Sequence, residues 1–188
     1  MKKIFSLLLI AFMAMSVNAG NTTGGPYKVG DYYNDGSKEG IVFVVFDGGY
    51  HGKIVSLDEG DELWAGEAVQ YNFTGAASRG GGMGNMNKIK KQPNWKSNYP
   101  AFAWCASLGN SWYLPAVDEL LLILDNKDAI NRKLNEMGYG EILDGKYWSS
   151  TEKDNEYAWL ADREHRECYF PKYNDGHAFH YVRAVATF

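Results

Sequence analysis

The chain has 188 residues, with 19 Lys and Arg against 23 Asp and Glu and a formal net charge of −4. Its 45% apolar and 22% charged residues are ordinary for a globular protein, which excludes a disordered, collagen-like or coiled-coil chain. This mild acidity also argues against a nucleic-acid partner, because a nucleic-acid binder needs a basic face. An aromatic content of 15% and 21 glycines favour short strands and loops over long helices.

The N-terminal residues have the pattern of an export signal. Lys2 and Lys3 precede an apolar run of about a dozen residues, and small residues surround Ala19. The run is shorter than the roughly 20 residues that cross a bilayer, and no other run of spanning length follows. We therefore expect a signal peptide over residues 1–19 and a single domain over residues 20–188. The expected location is secreted, periplasmic or cell-surface, without a membrane span.

Segments of β type and of helix type follow each other in an order that predicts an α+β domain. Strands lie on both sides of a helical region, so we expect the N- and C-terminal strands to meet in one sheet. The expected architecture has mixed, short-stranded sheets, two to three helices and long loops. The predicted segments are a β-hairpin formed by Ile41–Phe46 and Lys53–Leu57, a glycine-rich loop at Thr74–Asn87, a helix at Pro100–Gly109, a strand at Trp112–Leu114, helices after Pro115 and after Asp128, and strands at Tyr147–Ser150, Tyr157–Arg163, Glu167–Phe170 and Phe179–Thr187.

The sequence offers no motif that predicts catalysis. The glycines at Gly80–Gly84 lack the spacing of a phosphate-binding loop. The hydroxyl run Ser149–Thr151 is not part of a nucleophile elbow, so we expect these side chains to satisfy backbone groups. Asp118 and Glu119 suit the positive N-terminal end of a helix. We therefore expect no enzymatic activity and no cofactor.

The histidines do not have the spacing of a metal site. His177 and His180 are three apart in a predicted strand, where their side chains point to opposite faces, so no metal is predicted. Oxygen atoms of loop residues such as Asp154 and Asp175 could bind calcium, so calcium binding stays an open alternative, although the EF-hand spacing is absent.

Two cysteines, Cys105 and Cys168, are present. In an exported protein an even number of cysteines permits a disulfide, so we predict a Cys105–Cys168 bridge. Two separate buried thiols are the alternative. The bridge would contribute ~4 kcal/mol by restricting the unfolded chain.

Aromatic, basic and amide side chains are interleaved in the C-terminal third of the chain. Such a mixture makes a recognition surface, because aromatic faces stack on sugars or side chains and arginine grips anions. Other large apolar residues are assigned to the core, namely Trp112, Leu120, Trp148, Trp159, Val182 and Val185. The predicted ligand-binding residues are Arg163, His165, Arg166, Tyr169, Lys172, Tyr173, Asn174 and His177.

Several motifs in a fixed order resemble a known family. The order WYLP, EL, YWSSTE, AW and VRAV resembles the C-terminal domain of a bacterial collagen-like adhesin, the Lcl C-terminal family. The quoted motifs are Pro100-Ala101 with Cys105, Trp112–Pro115, Asp118–Leu120, Tyr147–Glu152, Ala158-Trp159 and Val182–Val185, together with Val29-Gly30 through Ile54–Leu57.

The resemblance implies a C-type-lectin-like fold and a non-catalytic, adhesin-like function. In the related variable proteins made by diversity-generating retroelements, the ligand surface lies between the YWSS strand and the final VR strand, a region that here contains Glu152–Asn155, Arg163–Glu167 and Tyr169–His180. The expected ligand is an extracellular glycan, a glycosaminoglycan or a protein. The alternatives are a relative of the formylglycine-generating enzymes, whose signature is absent, and a structural subunit assembled with other surface proteins. Two departures from the family are Ala116, which replaces a hydroxyl helix cap, and Ala184, which stands where relatives have cysteine.

Overall fold

The computed structural model describes residues 24–140, 145–175 and 178–188. The predicted signal peptide therefore lies outside the described residues, as does His177. The described residues form two sheets, of four and five strands, with five α-helices, so the predicted α+β class is confirmed. No helix among them is long and apolar enough to cross a membrane.

The first sheet joins the two ends of the domain. Its order is β1-β2-β3-β9 and all its pairs are antiparallel. The β2–β3 hairpin matches the predicted one, and β3 also pairs with the C-terminal strand, with Lys53 opposite Thr187. The predicted meeting of N- and C-terminal strands is therefore confirmed. The strands are β1 (Tyr32–Asn34), β2 (Glu39–Phe46), β3 (His51–Val55) and β9 (Val185–Thr187).

The second sheet has the order β4-β8-β5-β6-β7, in which only the β5–β8 pair is parallel. The single strand predicted at Phe179–Thr187 is in fact two short strands, β8 and β9, that belong to different sheets. At Trp112–Leu114 the structure has a single bridge between Tyr113 and Val185 in place of a strand. The strands are β4 (Gly60–Glu62), β5 (Tyr147–Glu152), β6 (Tyr157–Asp162), β7 (Arg166–Pro171) and β8 (His180–Val182).

Three of the helices are the predicted ones. Proline starts α3 at the first-turn position, where its missing N–H costs nothing, and Gly109 follows its C-terminal end with a φ of 137°. The helices are α1 (Gly82–Ile89), α2 (Trp95–Asn98), α3 (Pro100–Ser107), α4 (Val117–Asp125) and α5 (Lys127–Glu136).

Helix α1 occupies part of the predicted glycine-rich loop. Met86 and Ile89 are fully buried on it, and the burial of these side chains outweighs the low helix propensity of its glycines. Gly82 also has to be small, since a Cβ there would lie 2.7 Å from the Leu114 carbonyl oxygen. Tertiary contacts therefore determine the helical conformation of this segment, whereas its local sequence propensity predicts a loop.

The core is a contiguous cluster that draws on both sheets and the helices. Trp64 lies within it, packed edge to face against Tyr99 and Phe102, and its indole N–H donates to the Ser149 carbonyl (2.9 Å). The predicted core residues Trp112, Leu120, Trp148, Val182 and Val185 are all at most 4% exposed. Trp159 is the exception: it is half-buried and was wrongly assigned to the core.

The predicted Cys105–Cys168 disulfide is wrong, because both cysteines are free thiols. Cys105 lies on α3, which contacts β4 at one edge of the second sheet, whereas Cys168 lies on β7 at the opposite edge. The edge strands β4 and β7 are separated by four spacings of about 4.8 Å each, so they lie roughly 19 Å apart. A disulfide needs Cα atoms within about 7 Å.

We expect thiol titration without reductant to find two free thiols per unfolded chain. In the folded protein Cys168 should react first. Cys105 is fully buried, burial raises the pKa of its thiol well above the usual value, and the thiolate is the reactive form. A Cys105–Cys168 disulfide in the protein purified under oxidising conditions would contradict this arrangement. The measurement is mass spectrometry after alkylation, before and after denaturation.

Candidate ligand-binding surface

The hydroxyl run on β5 serves the backbone. Ser149 donates through Oγ to the Trp159 carbonyl (2.7 Å), and Thr151 donates through Oγ1 to the Ser78 carbonyl (3.0 Å). The Asn85 amide donates to Ser150 Oγ (3.1 Å). All three hydroxyl side chains are at most 1% exposed. The predicted role in satisfying backbone groups is confirmed for Ser149 and Thr151, whereas Ser150 Oγ accepts from the Asn85 side chain.

The N-terminal N–H groups of helix α4 are capped by two side chains, one from the helix itself and one from β5. Ala116 has no hydroxyl, but its N–H donates to Glu119 Oε2 (2.8 Å), and the Val117 N–H donates to Thr151 Oγ1 (2.9 Å). The YWSSTE strand therefore supplies the cap that Ala116 lacks.

The buried Glu119 carboxylate also accepts hydrogen bonds from the Tyr113 hydroxyl (3.0 Å), the Gly82 N–H (3.2 Å) and Lys53 Nζ. This network joins α4, α1 and β3, so Glu119 is a structural residue, as its place at a helix N-terminus predicts.

Lys172 is buried, although it was predicted to lie on the recognition surface. Its side chain is 0% exposed and pairs with the equally buried Glu152, with Nζ 2.6 Å from Oε1. Nζ also donates to the carbonyls of Asn72 and Asn155, both at 3.0 Å, and lies 5.0 Å from the Trp64 ring centroid. Burial lowers the pKa of Lys172, and the hydrogen bond to Glu152 opposes this effect. The expectation of a solvated charge here is wrong.

The other predicted ligand-binding residues are divided between the two ends of β7. Arg163 and His165 lie in the exposed β6–β7 turn and Arg166 begins β7, whereas Tyr173 and Asn174 follow its last residue. The two ends of β7, Arg166 and Pro171, are five residue steps apart, or roughly 17 Å. Tyr169 lies between them and is 51% exposed. The predicted ligand-binding residues that the structure describes, apart from the buried Lys172, therefore extend along β7 and do not form a single cluster.

An aromatic patch lies on one face of β6 and β7. Alternation along the strands brings Tyr157, Trp159 and Tyr169 to one face, with Trp159 directly opposite Tyr169. Tyr169 packs edge to face against both neighbours, at centroid distances of 5.5 and 5.7 Å. Two cations border the patch: Lys153 Nζ lies 3.9 Å from the Tyr169 ring centroid, and the Arg79 guanidinium lies 5.6 Å from Trp159.

Carboxylates balance the cations around this aromatic patch. Arg79 contacts Asp118 (2.9 Å) and Glu167 (2.5 Å), and the hydrogen bond to Glu167 raises the pKa of Arg79. Arg166 makes a two-pronged contact with Asp125 at 2.6 and 3.1 Å. The surface is therefore rich in aromatic faces but carries little excess positive charge.

Alternation on β6 is the sequence signal for this patch. Ala158 and Leu160 are buried, so Tyr157 and Trp159, one residue out of phase with them, must face the other way. The positions of Arg79 and Lys153 have no such signal, because their contacts with the rings depend on how separate segments meet. No group of three or more metal-ligating side chains occurs in the described parts of the chain.

His180 is a half-buried titratable group within the same sheet. Its ring lies 4.9 Å from both Trp148 and Phe170, and its Nε2 atom is buried with no hydrogen-bond partner among the described residues. Burial, with a contribution from Lys146, lowers its pKa from 6.5 to about 4. His180 is therefore neutral in the folded protein at pH 7.

This environment of His180 predicts a loss of stability in mild acid. Between pH 6.5 and about 4, His180 is protonated in the unfolded chain but stays neutral in the folded protein. The free energy of unfolding therefore decreases as the pH falls through this window. With allowance for partial exposure, the effect is on the order of 2 kcal/mol. Urea unfolding at pH 7 and pH 4.5 should show a smaller loss for His180→Phe than for the wild type. Equal losses would contradict the assignment.

The comparisons with known proteins identify the fold and no family. No protein-family model and no curated protein matches the chain. Among solved structures it is similar to a fimbrial protein from Bacteroides ovatus, with 16% sequence identity and a TM-score of 0.56. The match covers 74% of this chain and 36% of that protein, so the chain spans about a third of its neighbour's length. Membership of the Lcl C-terminal family and a C-type-lectin-like fold stay predictions.

Proposed function

We propose that the protein is a non-catalytic, extracellular or surface-located binding domain. Its recognition surface is the aromatic patch of Tyr157, Trp159 and Tyr169, bordered by Lys153 and Arg79. One observation carries the proposal: three contiguous rings lie on one face of β6 and β7, where Tyr169 is 51% exposed and Tyr157 and Trp159 are partly exposed. Contiguous apolar groups at the surface of a protein commonly mark a site of interaction with a ligand or another protein.

The chemistry of the patch favours an uncharged ligand. Flat rings offer stacking faces for a sugar ring or a protein side chain, and the bordering cations are already engaged by carboxylates. A neutral glycan or a protein surface therefore fits better than a glycosaminoglycan, which would need unpaired positive charge. Arg163, His165, Arg166, Tyr173 and Asn174 are assigned to the rim of this surface. His177 lies outside the described residues and remains a predicted rim residue.

A surface location is consistent with the sequence and with the fold. The first residues resemble an export signal, and a protein of similar fold is described as fimbrial. The buried, hydrogen-bonded state of Ser149, Ser150 and Thr151 supports a non-catalytic assignment. The similarity to a fimbrial protein also favours a second candidate, a subunit of a surface assembly.

Binding should be lost when the rings are removed. The mature protein is first screened on glycan and extracellular-matrix arrays, and the strongest hit is used for titration. We expect Trp159→Ala and Tyr169→Ala each to weaken binding at least tenfold at both low and high salt, because stacking on an uncharged ligand is not screened. Phe46→Ala is the matched control, since it removes a ring from β2 of the first sheet that is 48% exposed, against 51% for Tyr169.

Thermal melting of the same variants separates binding from folding. Tyr169→Ala should melt within a few degrees of the wild type, because its ring is 51% exposed. Trp159→Ala removes a larger, half-buried ring and should lower the melting temperature further, with the domain still folded at the temperature of the titration. Normal binding by both variants, with intact folds, would contradict the proposed site.

A further inference from the structure

The charge of the chain is distributed unevenly along the sequence. Residues 68–117 contain no Asp or Glu but five of the 19 Lys and Arg, so the rest of the chain has 14 Lys and Arg against 23 Asp and Glu. Four of the five are lysines that lie in the last turn of α1, in the connection that follows it and on α2, namely Lys88, Lys90, Lys91 and Lys96. An acidic chain therefore carries a locally basic surface where α1 meets α2.

Trp95, the first residue of α2, lies among these lysines. Its ring centroid is 6.0 Å from Lys90 Nζ and 5.9 Å from Lys96 Nζ, so the two ammonium groups are no more than about 12 Å apart. Both distances are at the outer limit of a cation–π contact, which leaves the ammonium groups available to an anion. Trp95 is half-buried and packs against the core, so its position is fixed while part of its ring faces solvent. Trp95 and the four lysines together form the lysine surface.

The ammonium groups of the lysine surface are not paired with carboxylates. Over the part of the chain that the structure describes, no carboxylate oxygen lies within 4.0 Å of any of these four Nζ atoms. Lys88 donates to the Gly75 carbonyl. Elsewhere the structure describes eight Lys and Arg side chains in ion pairs, those of Lys38, Lys53, Arg79, Lys133, Lys153, Arg166, Lys172 and Arg183. An anion can therefore approach the lysine surface without displacing a carboxylate.

The carboxylates on neighbouring elements do not neutralise the lysine surface. Helix α1 packs against β5, whose one carboxylate, Glu152, is buried and paired with Lys172. At the N-terminal end of α1, Glu119 is paired with Lys53. Helix α2 packs against α3, which has no acidic residue, and against the turn that contains Glu67. Of the described carboxylates on these neighbours, Glu67 alone forms no ion pair, against four lysines.

The backbone beneath the lysine surface is held in place by hydrogen bonds. The Gln92 N–H donates to the carbonyl of the buried Ile89 (2.9 Å), which fixes the chain after α1. The Asn98 side-chain amide donates to the Pro93 carbonyl (3.0 Å), and the Asn98 carbonyl accepts from the Gly66 N–H (2.8 Å). Binding therefore has to order the lysine side chains but not the backbone that carries them, which lowers its entropic cost.

We propose that the lysine surface is a second binding site, which takes an anionic polysaccharide. The exposed part of the Trp95 ring offers a face for a sugar ring, and the ammonium groups around it attract sulfate or carboxylate groups on the same polymer. Lysines act as point charges without the fixed fork of arginine, which suits anions that recur at variable positions along a chain. The predicted export signal favours an extracellular polysaccharide over a nucleic acid. This site is independent of the aromatic patch, whose cations are already paired.

The test is a titration of the mature protein with two anionic polysaccharides, dextran sulfate and polygalacturonate. We expect both to bind at low salt and at least tenfold more weakly at high salt, because salt screens the ionic contacts and removes the gain from counterion release. Uncharged dextran should not bind at this site. The tighter of the two anionic polymers identifies sulfate or carboxylate as the preferred group.

The lysine variant is Lys90→Gln/Lys91→Gln/Lys96→Gln, and it should bind dextran sulfate at least tenfold more weakly than the wild type. It should melt within a few degrees of the wild type, because these side chains form no ion pair that the structure describes.

The matched control removes the same number of positive charges from other parts of the surface. Lys28→Gln/Arg132→Gln/Lys133→Gln should bind dextran sulfate within about twofold of the wild type, since screening limits the effect of distant charges. Trp159→Ala should also bind dextran sulfate normally, which separates this site from the aromatic patch.

Three results would overturn the proposal. The first is a wild type that binds neither anionic polysaccharide at low salt. The second is equal weakening by the two triple variants, since the attraction would then follow net charge and not the lysine surface. The third is an oligothymidylate of matched charge that binds as tightly as dextran sulfate, which would assign the surface to nucleic acid. None of these results bears on neutral-ligand binding at the aromatic patch, so the two proposals fail separately.

Discussion

Replacing Lys172 with alanine is expected to lower the free energy of unfolding by about 3–5 kcal/mol. The change leaves Glu152 as a buried carboxylate without its cation, and it removes the donor to the carbonyls of Asn72 and Asn155. Desolvation of an unpaired charge dominates, because both side chains are 0% exposed. A domain of ordinary stability would be close to unfolding, which urea titration measures directly.

Lys153→Ala is the matched control for this experiment. Lys153 belongs to the same region and also contacts aromatic rings, but it is exposed enough that its ion pair with Asp154 (3.3 Å) should contribute less than about 1 kcal/mol. Equal effects of Lys153→Ala and Lys172→Ala on the urea midpoint would show that the Glu152–Lys172 pair is not buried.

Glu119→Ala should have a similarly large effect, again about 3–5 kcal/mol. The substitution leaves the N–H groups of Ala116 and Gly82 and the Tyr113 hydroxyl without their acceptor, and it leaves Lys53 without its carboxylate. Glu119→Gln should recover part of the loss, because its amide oxygen still accepts hydrogen bonds.

The neighbouring Asp118 provides the comparison. Its side chain is 50% exposed and pairs with Arg79 on the surface, so Asp118→Ala should cost no more than about 1 kcal/mol. Chemical denaturation of the three variants tests the contrast. If Asp118→Ala were as destabilising as Glu119→Ala, the capping network around α4 would be incorrectly assigned.

Local sequence patterns were sufficient for most of the fold. The β-branched run at β2, the proline and glycine that bound α3, and the periodic apolar residues of α4 each predicted an element that the structure contains. These signals depend on neighbours in the chain. The α1 helix was missed because its stability depends on Met86 and Ile89 reaching a core assembled from distant segments.

The candidate site was harder to predict, for a related reason. Lys172 lies in a segment rich in aromatic and polar residues, which predicts a solvent-exposed side chain. Nothing in the neighbouring sequence indicates that Glu152 lies 2.6 Å from its Nζ atom. Cys105 and Cys168 likewise satisfied every sequence rule for a disulfide, yet the sheet places them at opposite edges. Tyr169 was identified, whereas Trp159 was assigned to the core because it belongs to the motif pattern of the resembling family, although it is one residue out of phase with the buried Ala158 and Leu160.

The central claim is that the face of Tyr157, Trp159 and Tyr169 binds the ligand. The most direct test is a ¹H–¹⁵N NMR titration with the ligand obtained from the arrays, including the indole N–H signals of all six tryptophans. We predict that the largest shifts map to β6, β7 and the Trp159 indole, while the indole signals of the buried Trp64 and Trp148 change little. Shifts concentrated elsewhere, with Trp159 unaffected, would contradict the account.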